Sequence, residues 1–583
     1  MSELRLVDAL VSALRDWGVG DIFGVSGANI EHVHDAIHRL GGSELRAVLA
    51  RSESGAAFMA DGRARVHRTL GVCCCTSGGG MMNLAVGIAE SYAESVPVLA
   101  LVGQPPSALA GRGGFQDSSG IGRTVDAAMM WQAMSKHTVQ ITAAGFWSQL
   151  HRAVRTALSG RPGPSILLLP RDTYDQLVAP RPADWPTTLA ELTTPMVADD
   201  GPIEALFAAM SSARRPVIVL GTGAERAGAG PRVAAFARQA GIPVVTTMAS
   251  SGSYPNSDPG YLGMIGVAGH PSAHDWLNTE ADLIVAVGSG LNIMTRAAIG
   301  PALARATLAV VNVDTRQLDA SVSPSLVVQG DALVVFDRLS EILDRTPMAH
   351  ALPHGYRLSR FVPRLADPDA ESEVACADTL LQSEAIAQLQ GHLPACGHVL
   401  FDAGNCAAAA LHHLQIPDGT TTTIALGMGG MGYAIAASIG AQSGSSAGTR
   451  SVVLCGDGAF LMAGFEVHTA VQLGLSILYV VFNNNQHGMC VTRQKLYFEG
   501  RLESTAYPPL DVATVCRGLG TPDRLWVGSA GTAAALTEAL AAFARSPVPT
   551  GVLELRLPRE EIPPFTPFLG ADAEVSTAPS CAA

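Results

Sequence analysis

Charged residues are scarce in this 583-residue chain, at 15%, and aromatic residues are scarcer still, at 5%. Hydrophobic residues make up 48%, which excludes a disordered chain and favours large buried cores. The sequence has no apolar run long enough to cross a bilayer, so we expect no membrane span. The net charge of −13 disfavours binding to nucleic acid or to an anionic membrane surface.

Paired cysteines are also missing, because none of the ten cysteines forms a Cys-x-x-Cys motif. Cys73, Cys74 and Cys75 are consecutive, and neighbours on a strand point to opposite faces. A buried strand is therefore a better interpretation than a metal site. The start of the chain, from Met1 to Trp17, combines acidic residues with helical apolar spacing, unlike a signal peptide. We expect a reduced, cytoplasmic protein.

Apolar strands alternate with helical segments that open on glycine along three stretches of the chain. This alternation predicts an α/β fold with three doubly wound parallel-sheet domains. Pro-rich and polar linkers place the domains at residues 1–178, 190–347 and 373–568, followed by a disordered tail at 569–583. Ligands of such sheets collect at the carboxyl ends of the strands, which is where the glycine-rich turns fall.

The most informative motif is Gly456-Asp457-Gly458, which follows one apolar strand and precedes a second that ends at Asn484. The 27 residues from Asp457 to Asn484 allow one β–α–β unit, which would place both side chains at adjacent strand ends. A carboxylate, an amide oxygen and nearby carbonyls suit Mg²⁺, and glycines let the backbone approach a diphosphate. Each half alone is an ordinary turn, but the combination at this spacing predicts a metal–diphosphate site.

This combination resembles the cofactor-binding motif of acetolactate (acetohydroxyacid) synthases and other enzymes that depend on thiamine diphosphate. The resemblance implies that Asp457, Asn484 and the main-chain oxygen of Gln486 hold Mg²⁺. The turn Gly427–Gly432 resembles the family's loop beside the cofactor, so Met431 matches the bulky apolar residue that keeps the cofactor bent. The other matched cofactor-binding positions in this region are Gly429, Gly456, Gly458, Gly488 and Met489.

The resemblance also assigns a catalytic glutamate far away in the sequence. The segment Ala50–Arg65 is similar to the family segment whose glutamate hydrogen-bonds the pyrimidine ring, and the match falls on Glu53. The residues alone favour a plainer interpretation, a glutamate at the positive end of a helix. The family usually has histidine where this chain has Ser52. The cofactor-binding positions matched around Glu53 are Gly27, Gly79 and Asn83.

A further set of residues matches the family's substrate pocket. Gln116 matches a catalytic position, and Phe115 and Lys136 match substrate positions. Without the resemblance, Gln116 and Lys136 would be interpreted as solvated polar groups and Phe115 as a packing residue. Acetolactate synthases carry a tryptophan that helps to choose the acceptor, and Arg493 stands there in this chain. An arginine suits a carboxylate or phosphate on the acceptor, and a solvated surface arginine is the alternative.

The resemblance implies a carboligase that decarboxylates a 2-keto acid, with pyruvate as the expected donor, and transfers the acyl-anion fragment to an acceptor. It implies thiamine diphosphate and Mg²⁺ as cofactors and a homodimer or homotetramer. The alternatives are a thiamine diphosphate-dependent decarboxylase, a C–N bond-forming synthase, and a non-catalytic protein on the same scaffold. Ala28 stands where pyruvate decarboxylase-like enzymes carry aspartate, which disfavours simple decarboxylation. Short glycine turns at Gly221–Gly223 and Gly288–Gly290 leave FAD open.

Overall fold

Three six-stranded sheets, each with parallel strand pairings throughout, organise the described chain. Helices alternate with the strands along the chain, which confirms the predicted α/β class. Two short antiparallel strand pairs add to the three sheets. The computed structural model describes residues 4–366, 379–558, 560–570 and 573–577.

The first sheet lies in the first predicted domain. Its segment contains the strands β1 (Leu4–Arg5), β2 (Asp21–Gly24), β3 (Arg46–Leu49), β4 (Gly71–Cys75), β5 (Val98–Gln104), β6 (His137–Gln140), β7 (Ser165–Pro170) and β8 (Leu177–Val178). Its helices are α1 (Leu6–Asp16), α2 (Glu31–Leu40), α3 (Glu53–His67), α4 (Gly79–Ala93), α5 (Ala127–Gln132), α6 (Phe146–Leu158) and α7 (Leu189–Leu192). The strand order is β3-β2-β4-β5-β7-β6. Cys73, Cys74 and Cys75 are fully buried in β4, as the strand interpretation predicted.

The second sheet has the strand order β11-β10-β9-β12-β13-β14, which is the order of a dinucleotide-binding sheet. Its strands are β9 (Pro216–Leu220), β10 (Val244–Thr247), β11 (Tyr261–Ile265), β12 (Leu283–Val287), β13 (Thr307–Asn312) and β14 (Leu326–Gln329). The helices of this segment are α8 (Asp200–Ser212), α9 (Thr222–Arg226), α10 (Gly230–Ala240), α11 (Pro271–Thr279), α12 (Ile293–Arg296), α13 (Gly300–Arg305) and α14 (Ala332–Arg345).

The third sheet repeats the strand order of the first, as β17-β16-β18-β19-β21-β20. The strands of this segment are β15 (Arg360–Phe361), β16 (His398–Phe401), β17 (Thr421–Ile424), β18 (Ser451–Gly456), β19 (Ile477–Asn483), β20 (Trp526–Ala530), β21 (Gly551–Arg556) and β22 (Val575–Ser576). Its helices are α15 (Gln382–Gln390), α16 (Asn405–His413), α17 (Tyr433–Ser443), α18 (Asp457–Ala463), α19 (Val467–Leu473), α20 (Gly488–Tyr497), α21 (Val512–Arg517) and α22 (Ala533–Arg545).

The chain folds into two compact units that cut across the third predicted domain. The first unit contains the chain up to Thr194 together with Ala425–Gly448 and Ala463–Leu475, and the second contains the remainder. Helices α17 and α19 therefore belong to the first unit although their sheet belongs to the second. The predicted domain limits stay predictions, and the limit at residue 373 lies outside the described residues.

The tail predicted to be disordered, residues 569–583, contains an ordered pair of residues. Val575 and Ser576 form β22, which pairs antiparallel with Phe361 and Arg360. Two paired residues do not decide the order of the whole tail, so its predicted disorder stays a prediction. Residues 571, 572 and 578–583 of this tail lie outside the described residues.

No helix within the described ranges is both long enough and apolar enough to span a membrane.

Candidate active site

Glu53 is the first residue of α3, at the carboxyl edge of the first sheet just after β3. Ser52 caps this helix, since its side chain accepts a hydrogen bond of 3.0 Å from the Gly55 amide. The half-buried Glu53 carboxylate accepts a hydrogen bond of 3.1 Å from the side-chain amide of Asn83 on α4. The structure thus brings two sequence-predicted residues, Glu53 and Asn83, into direct contact.

Other predicted residues gather around this carboxylate from neighbouring strand ends. The Thr76 hydroxyl, just after β4, donates to the Gln116 side-chain oxygen at 3.2 Å. A Cβ added at Gly27 would lie 2.8 Å from the Thr76 side chain, and one added at Gly80 would lie 3.0 Å from Glu53 Oε1. Glycine is therefore needed where these turns approach each other. A side chain at Gly79 would meet nothing within 4 Å, so this position faces open space.

The turn that precedes Glu53 is held by a glutamate that the sequence analysis missed. Glu466 Oε1 accepts hydrogen bonds from the amides of Arg51 at 2.9 Å and Ser52 at 3.0 Å. Its second oxygen accepts from the Thr469 hydroxyl at 2.8 Å. Glu466 is buried, and this burial raises the pKa of its carboxyl above the ordinary value. Its distance of more than 400 residues from Ser52 leaves no local sequence signal.

The structure places Phe115 in solvent and Lys136 away from this group. Phe115 is 83% exposed. Lys136 precedes β6 and therefore lies at the amino edge of the sheet, opposite the edge at which Glu53 lies. Its ammonium donates to the carbonyls of Thr156 at 2.5 Å and Ser159 at 2.8 Å, at the end of α6, and burial lowers its pKa to about 8. These contacts make Lys136 a helix-capping residue.

The glycine turn Gly427–Gly432 is anchored by a buried acid on α4. Glu90 accepts hydrogen bonds from the amides of Gly427 at 3.3 Å and Met428 at 2.6 Å. Gly429 and Gly432 have φ values of +65° and +85°, a region that favours glycine. Met431 lies half-buried between these two glycines. The turn that carries the predicted cofactor-propping residue is therefore fixed at its start by Glu90.

Beyond this turn, α17 packs on α3 through a second buried polar contact. The Tyr433 hydroxyl donates to Asp61 at 2.5 Å, and Arg65 donates to the same carboxylate at 2.6 Å. Ser91 donates to the other Asp61 oxygen at 2.7 Å. All of these groups are buried or nearly so, and each carboxylate oxygen is satisfied. The sequence analysis identified none of these residues.

The second unit contains the predicted metal-binding residues. Strands β18 and β19 are parallel neighbours, with Gly456 opposite Phe482, so the 27-residue spacing predicted their adjacency correctly. Asp457 begins α18 directly after β18, and Asn484 follows the last residue of β19. The two side chains therefore leave the same carboxyl edge of the third sheet.

Several oxygen atoms at this edge suit a hard cation. Asp457 is 2% exposed, and its Oδ1 accepts from the Gly458 amide at 2.9 Å. Among the described residues, its Oδ2 is buried without a hydrogen-bond partner. Burial raises the pKa of this carboxyl. Asn405 Oδ1 is likewise buried without a partner, and Asn484 Oδ1 accepts from the Gln486 amide at 3.2 Å. Orphaned oxygens of this kind fit Mg²⁺, a cation that prefers oxygen ligands.

The types of side chain at this edge decide which metal ion it suits. Across the described ranges, no group of three or more His, Cys, Asp and Glu side chains is arranged to hold a metal ion. A site built from one carboxylate with amide and main-chain oxygens is compatible with that result, and it suits Mg²⁺ rather than Zn²⁺.

Helix α20 carries the remaining predicted residues of this edge. Gly488 begins the helix, and a Cβ there would lie 2.8 Å from Glu560 Oε1. Met489 is half-buried. Arg493 is exposed, and its guanidinium donates to the Cys490 sulfur at 3.3 Å. Its plain interpretation as a surface residue therefore agrees with its position in the single chain.

The sequence matches three family models in chain order. Their descriptions are "Thiamine pyrophosphate enzyme, N-terminal TPP binding domain" at residues 4–121, "central domain" at 203–339 and "C-terminal TPP binding domain" at 402–552. The acetolactate synthase large subunit of Corynebacterium glutamicum is 30% identical over 534 residues, which cover 88% of this chain and 81% of that protein. The large subunit from Haemophilus influenzae is 28% identical, covering 90% and 91%. The isozyme 2 large subunit of Escherichia coli is 28% identical, covering 85% and 86%.

Proposed function

The chain belongs to the thiamine pyrophosphate enzyme family, and we propose that it is an acetolactate synthase-like carboligase. It decarboxylates a 2-keto acid, with pyruvate as the donor, and transfers the remaining fragment to an acceptor. The observation that carries this proposal is the pair of orphaned, buried oxygens on Asp457 and Asn405 beside the glycine turn of the third sheet. That edge offers a cation and a diphosphate the ligands they need.

The residues matched to the metal, to the pyrimidine end of the cofactor and to its supporting loop have roles in this proposal. Asp457, Asn484 and the main-chain oxygen of Gln486 would hold Mg²⁺, which would supply positive charge for the diphosphate. Glu53, supported by Asn83, holds a proton at the pyrimidine end of the cofactor. Met431, on a turn that Glu90 anchors, would contact the cofactor through its apolar side chain. Bound thiamine diphosphate supplies a thiazolium that accepts the electron pair left when CO₂ departs.

The acceptor is the least constrained part of the proposal. Gln116 is hydrogen-bonded to the turn next to Glu53, so it is the matched substrate-side residue that lies nearest the catalytic glutamate. Phe115 and Arg493 are exposed in the single chain, where a bound acceptor or a second chain could cover them. We assign Lys136 no substrate role, because it caps α6.

The proposal does not require FAD. The two glycine turns that raised FAD as a candidate are accounted for by their own packing. A Cβ at Gly223 would lie 2.8 Å from Gly288 Cα, and one at Gly221 would lie 2.6 Å from the Gly288 carbonyl oxygen. Close backbone approach therefore explains these glycines without a nucleotide.

We propose a homodimer as the smallest active assembly, as the family resemblance implies, and a cytoplasmic location. All eight cysteines that lie in the described ranges are free, which suits a reducing compartment. Sedimentation velocity of the purified chain, with and without cofactor, measures the assembly directly.

The function is tested by titrating thiamine diphosphate into the protein with Mg²⁺ in a calorimeter, then adding pyruvate and analysing the products by mass spectrometry. Cofactor binding followed by CO₂ release and a new C–C bonded product supports the carboligase. Acetaldehyde as the main product, or a new C–N bond, would instead identify one of the alternative reactions. Absence of cofactor binding would overturn the proposal.

A further inference from the structure

Glu560 lies beside the predicted metal ligands although it follows the last strand of the third sheet. Its Oε1 accepts a hydrogen bond of 2.7 Å from the side-chain nitrogen of Asn405. Its Oε2 accepts one of 2.6 Å from the side-chain nitrogen of Asn484 and one of 3.5 Å from that of Gln486. One carboxylate therefore receives three amide groups from two separate loops.

This arrangement fixes which end of each amide faces the carboxylate. The oxygen and nitrogen of a carboxamide differ little in size, but only the oxygen can bind a cation. If Asn405 or Asn484 turned its amide over, its oxygen would face the Glu560 carboxylate. That orientation would replace a charge-assisted hydrogen bond with repulsion between two acceptors. Glu560 therefore holds the nitrogen ends and leaves the oxygen ends free for another partner.

The oxygen ends of these amides have few or no protein partners. Asn405 Oδ1 and Asp457 Oδ2 are both buried, and neither has a hydrogen-bond partner in the part of the chain that the structure describes. Asn484 Oδ1 accepts only the long 3.2 Å hydrogen bond from the Gln486 amide. Buried oxygens without partners are costly unless a ligand satisfies them.

Gly488 gives this carboxylate the room it occupies. A Cβ at Gly488 would lie 2.8 Å from Glu560 Oε1 and 3.2 Å from the side-chain nitrogens of Asn405 and Asn484. Any larger residue at the start of α20 would displace either the carboxylate or the amides. The family resemblance assigned Gly488 to cofactor binding, and its contact with Glu560 is a second reason for glycine at this position.

We propose that Glu560 is a positioning residue that orients the amides of Asn405 and Asn484 so that their oxygens face the cation. This inference rests on the proposed function, because the cation is the Mg²⁺ that accompanies thiamine diphosphate. Removing a residue that orients metal ligands through hydrogen bonds typically weakens metal affinity 10- to 100-fold. We expect the loss of metal affinity on removing the Glu560 carboxylate to be about that size.

The test measures metal affinity rather than turnover. Mn²⁺ is titrated into the full-length protein at saturating thiamine diphosphate, and free Mn²⁺ is followed by electron paramagnetic resonance. Glu560→Gln should weaken Mn²⁺ binding about tenfold or more. The matched control is Glu561→Gln, because Glu561 is the adjacent buried acid and binds the Ser383 amide and hydroxyl, both at 2.7 Å, instead of the amides. The control should change Mn²⁺ affinity less than twofold.

A second variant covers the case in which Glu560→Gln does not fold. Gly488→Ala keeps every charge but pushes a methyl group against the Glu560 carboxylate, and it should weaken Mn²⁺ binding in the same direction. Wild-type affinity in a folded Glu560→Gln protein would overturn the positioning role and leave the proposed function standing. A wild-type protein that binds neither Mn²⁺ nor cofactor would overturn both.

Discussion

Glu53 and Glu31 are two glutamates in the same local setting, because each is the first residue of a helix. If each carboxylate only interacted with the positive amino end of its helix, the two glutamates would be equivalent. Only Glu53 receives the Asn83 amide and lies against the glycine turn after β4. We expect Glu53→Gln to lower turnover about 10²- to 10⁴-fold, the usual contribution of a positioned proton-transfer group, without changing the melting temperature. Steady-state CO₂ release and thermal unfolding measure the two effects.

Glu31→Gln is the matched control for that experiment. It removes an exposed helix-start carboxylate and should leave turnover within about twofold, since its effect is confined to a few tenths of a kcal/mol of helix stability. Near-normal turnover in Glu53→Gln would remove Glu53 from the mechanism.

Asp457 illustrates a group that costs stability in the absence of its ligand. Its carboxylate is buried, one oxygen makes no hydrogen bond, and burial raises its pKa. Asp457→Asn removes the buried charge, so we expect the metal-free protein to gain about 1 kcal/mol in unfolding free energy. The same change should abolish Mg²⁺-dependent cofactor binding. Urea denaturation without metal measures the gain in stability, and calorimetric titration with Mg²⁺ measures the loss of cofactor binding. A metal-free variant less stable than wild type would contradict the argument.

The sequence predicted residues that stand directly after strands and missed those that act from a distance. Asp457 and Asn484 follow strands, so their spacing along the chain indicated their proximity. Asn405 had the same signal, a glycine-asparagine turn after β16, which was overlooked. Glu560 had none, because it is 76 residues from Asn484 and follows no glycine turn.

At the scale of helices, the contact of α3 with α17 depends on glycines on both sides. A Cβ at Gly62 would collide with the backbone of Ala437, and one at Gly440 would collide with the backbone of Met59. We expect Gly440→Ala to cost about 2–3 kcal/mol, since the backbone cannot move aside without separating the helices. Chemical denaturation measures the loss.

Gly201→Ala provides the control for this substitution. Gly201 lies in the first turn of α8, and an added Cβ would meet nothing within 4 Å apart from its chain neighbours. Because the following Pro202 offsets the helix preference of alanine, we expect Gly201→Ala to change the free energy of unfolding by less than about 1 kcal/mol. Destabilisation of similar size in both variants would show that the α3–α17 contact is not the cause.

Helix–helix contacts also show why part of the fold escaped prediction. The 27-residue spacing was enough to predict neighbouring strands, because one β–α–β unit has few alternatives. Nothing comparable indicated that α17 and α19 would join the first unit. Helix α17 is rich in alanine and glycine and is buried on nearly every face, so it lacks the apolar stripe that identifies a packing partner.

At the scale of the whole molecule, burial lowers the pKa of four histidines in the second unit, His270, His274, His412 and His413. Burial is the first cause that lowers the pKa of each, to about 3 for His270 and about 4 for His274 and His413, and Arg360 also lowers those of His270 and His413. The pKa of His412 is lowered well below its ordinary value, mainly by burial. Three of these rings use a nitrogen as acceptor: His270 from the Met264 amide, His274 from the Gly266 amide and His412 from the Phe361 amide. Protonation would break those hydrogen bonds.

These histidines make the fold sensitive to acid, and the sign follows from the lowered pKa values. Below about pH 6.5, these histidines take up protons in the unfolded chain but not in the folded chain. Their contribution to stability is therefore fully present above that pH and falls as the pH drops towards 4. Buried carboxyls with raised pKa values, such as Glu90 and Glu466, act in the opposite direction, so a single variant isolates the histidine contribution.

We expect the stability advantage of wild type over His274→Gln to shrink by up to about 1.4 kcal/mol per pH unit below pH 6.5. The control is His38→Gln, the same substitution at an exposed ring. A constant difference for His274→Gln, measured by urea denaturation from pH 7.5 to 4.5, would show that this ring is not held neutral in the folded chain.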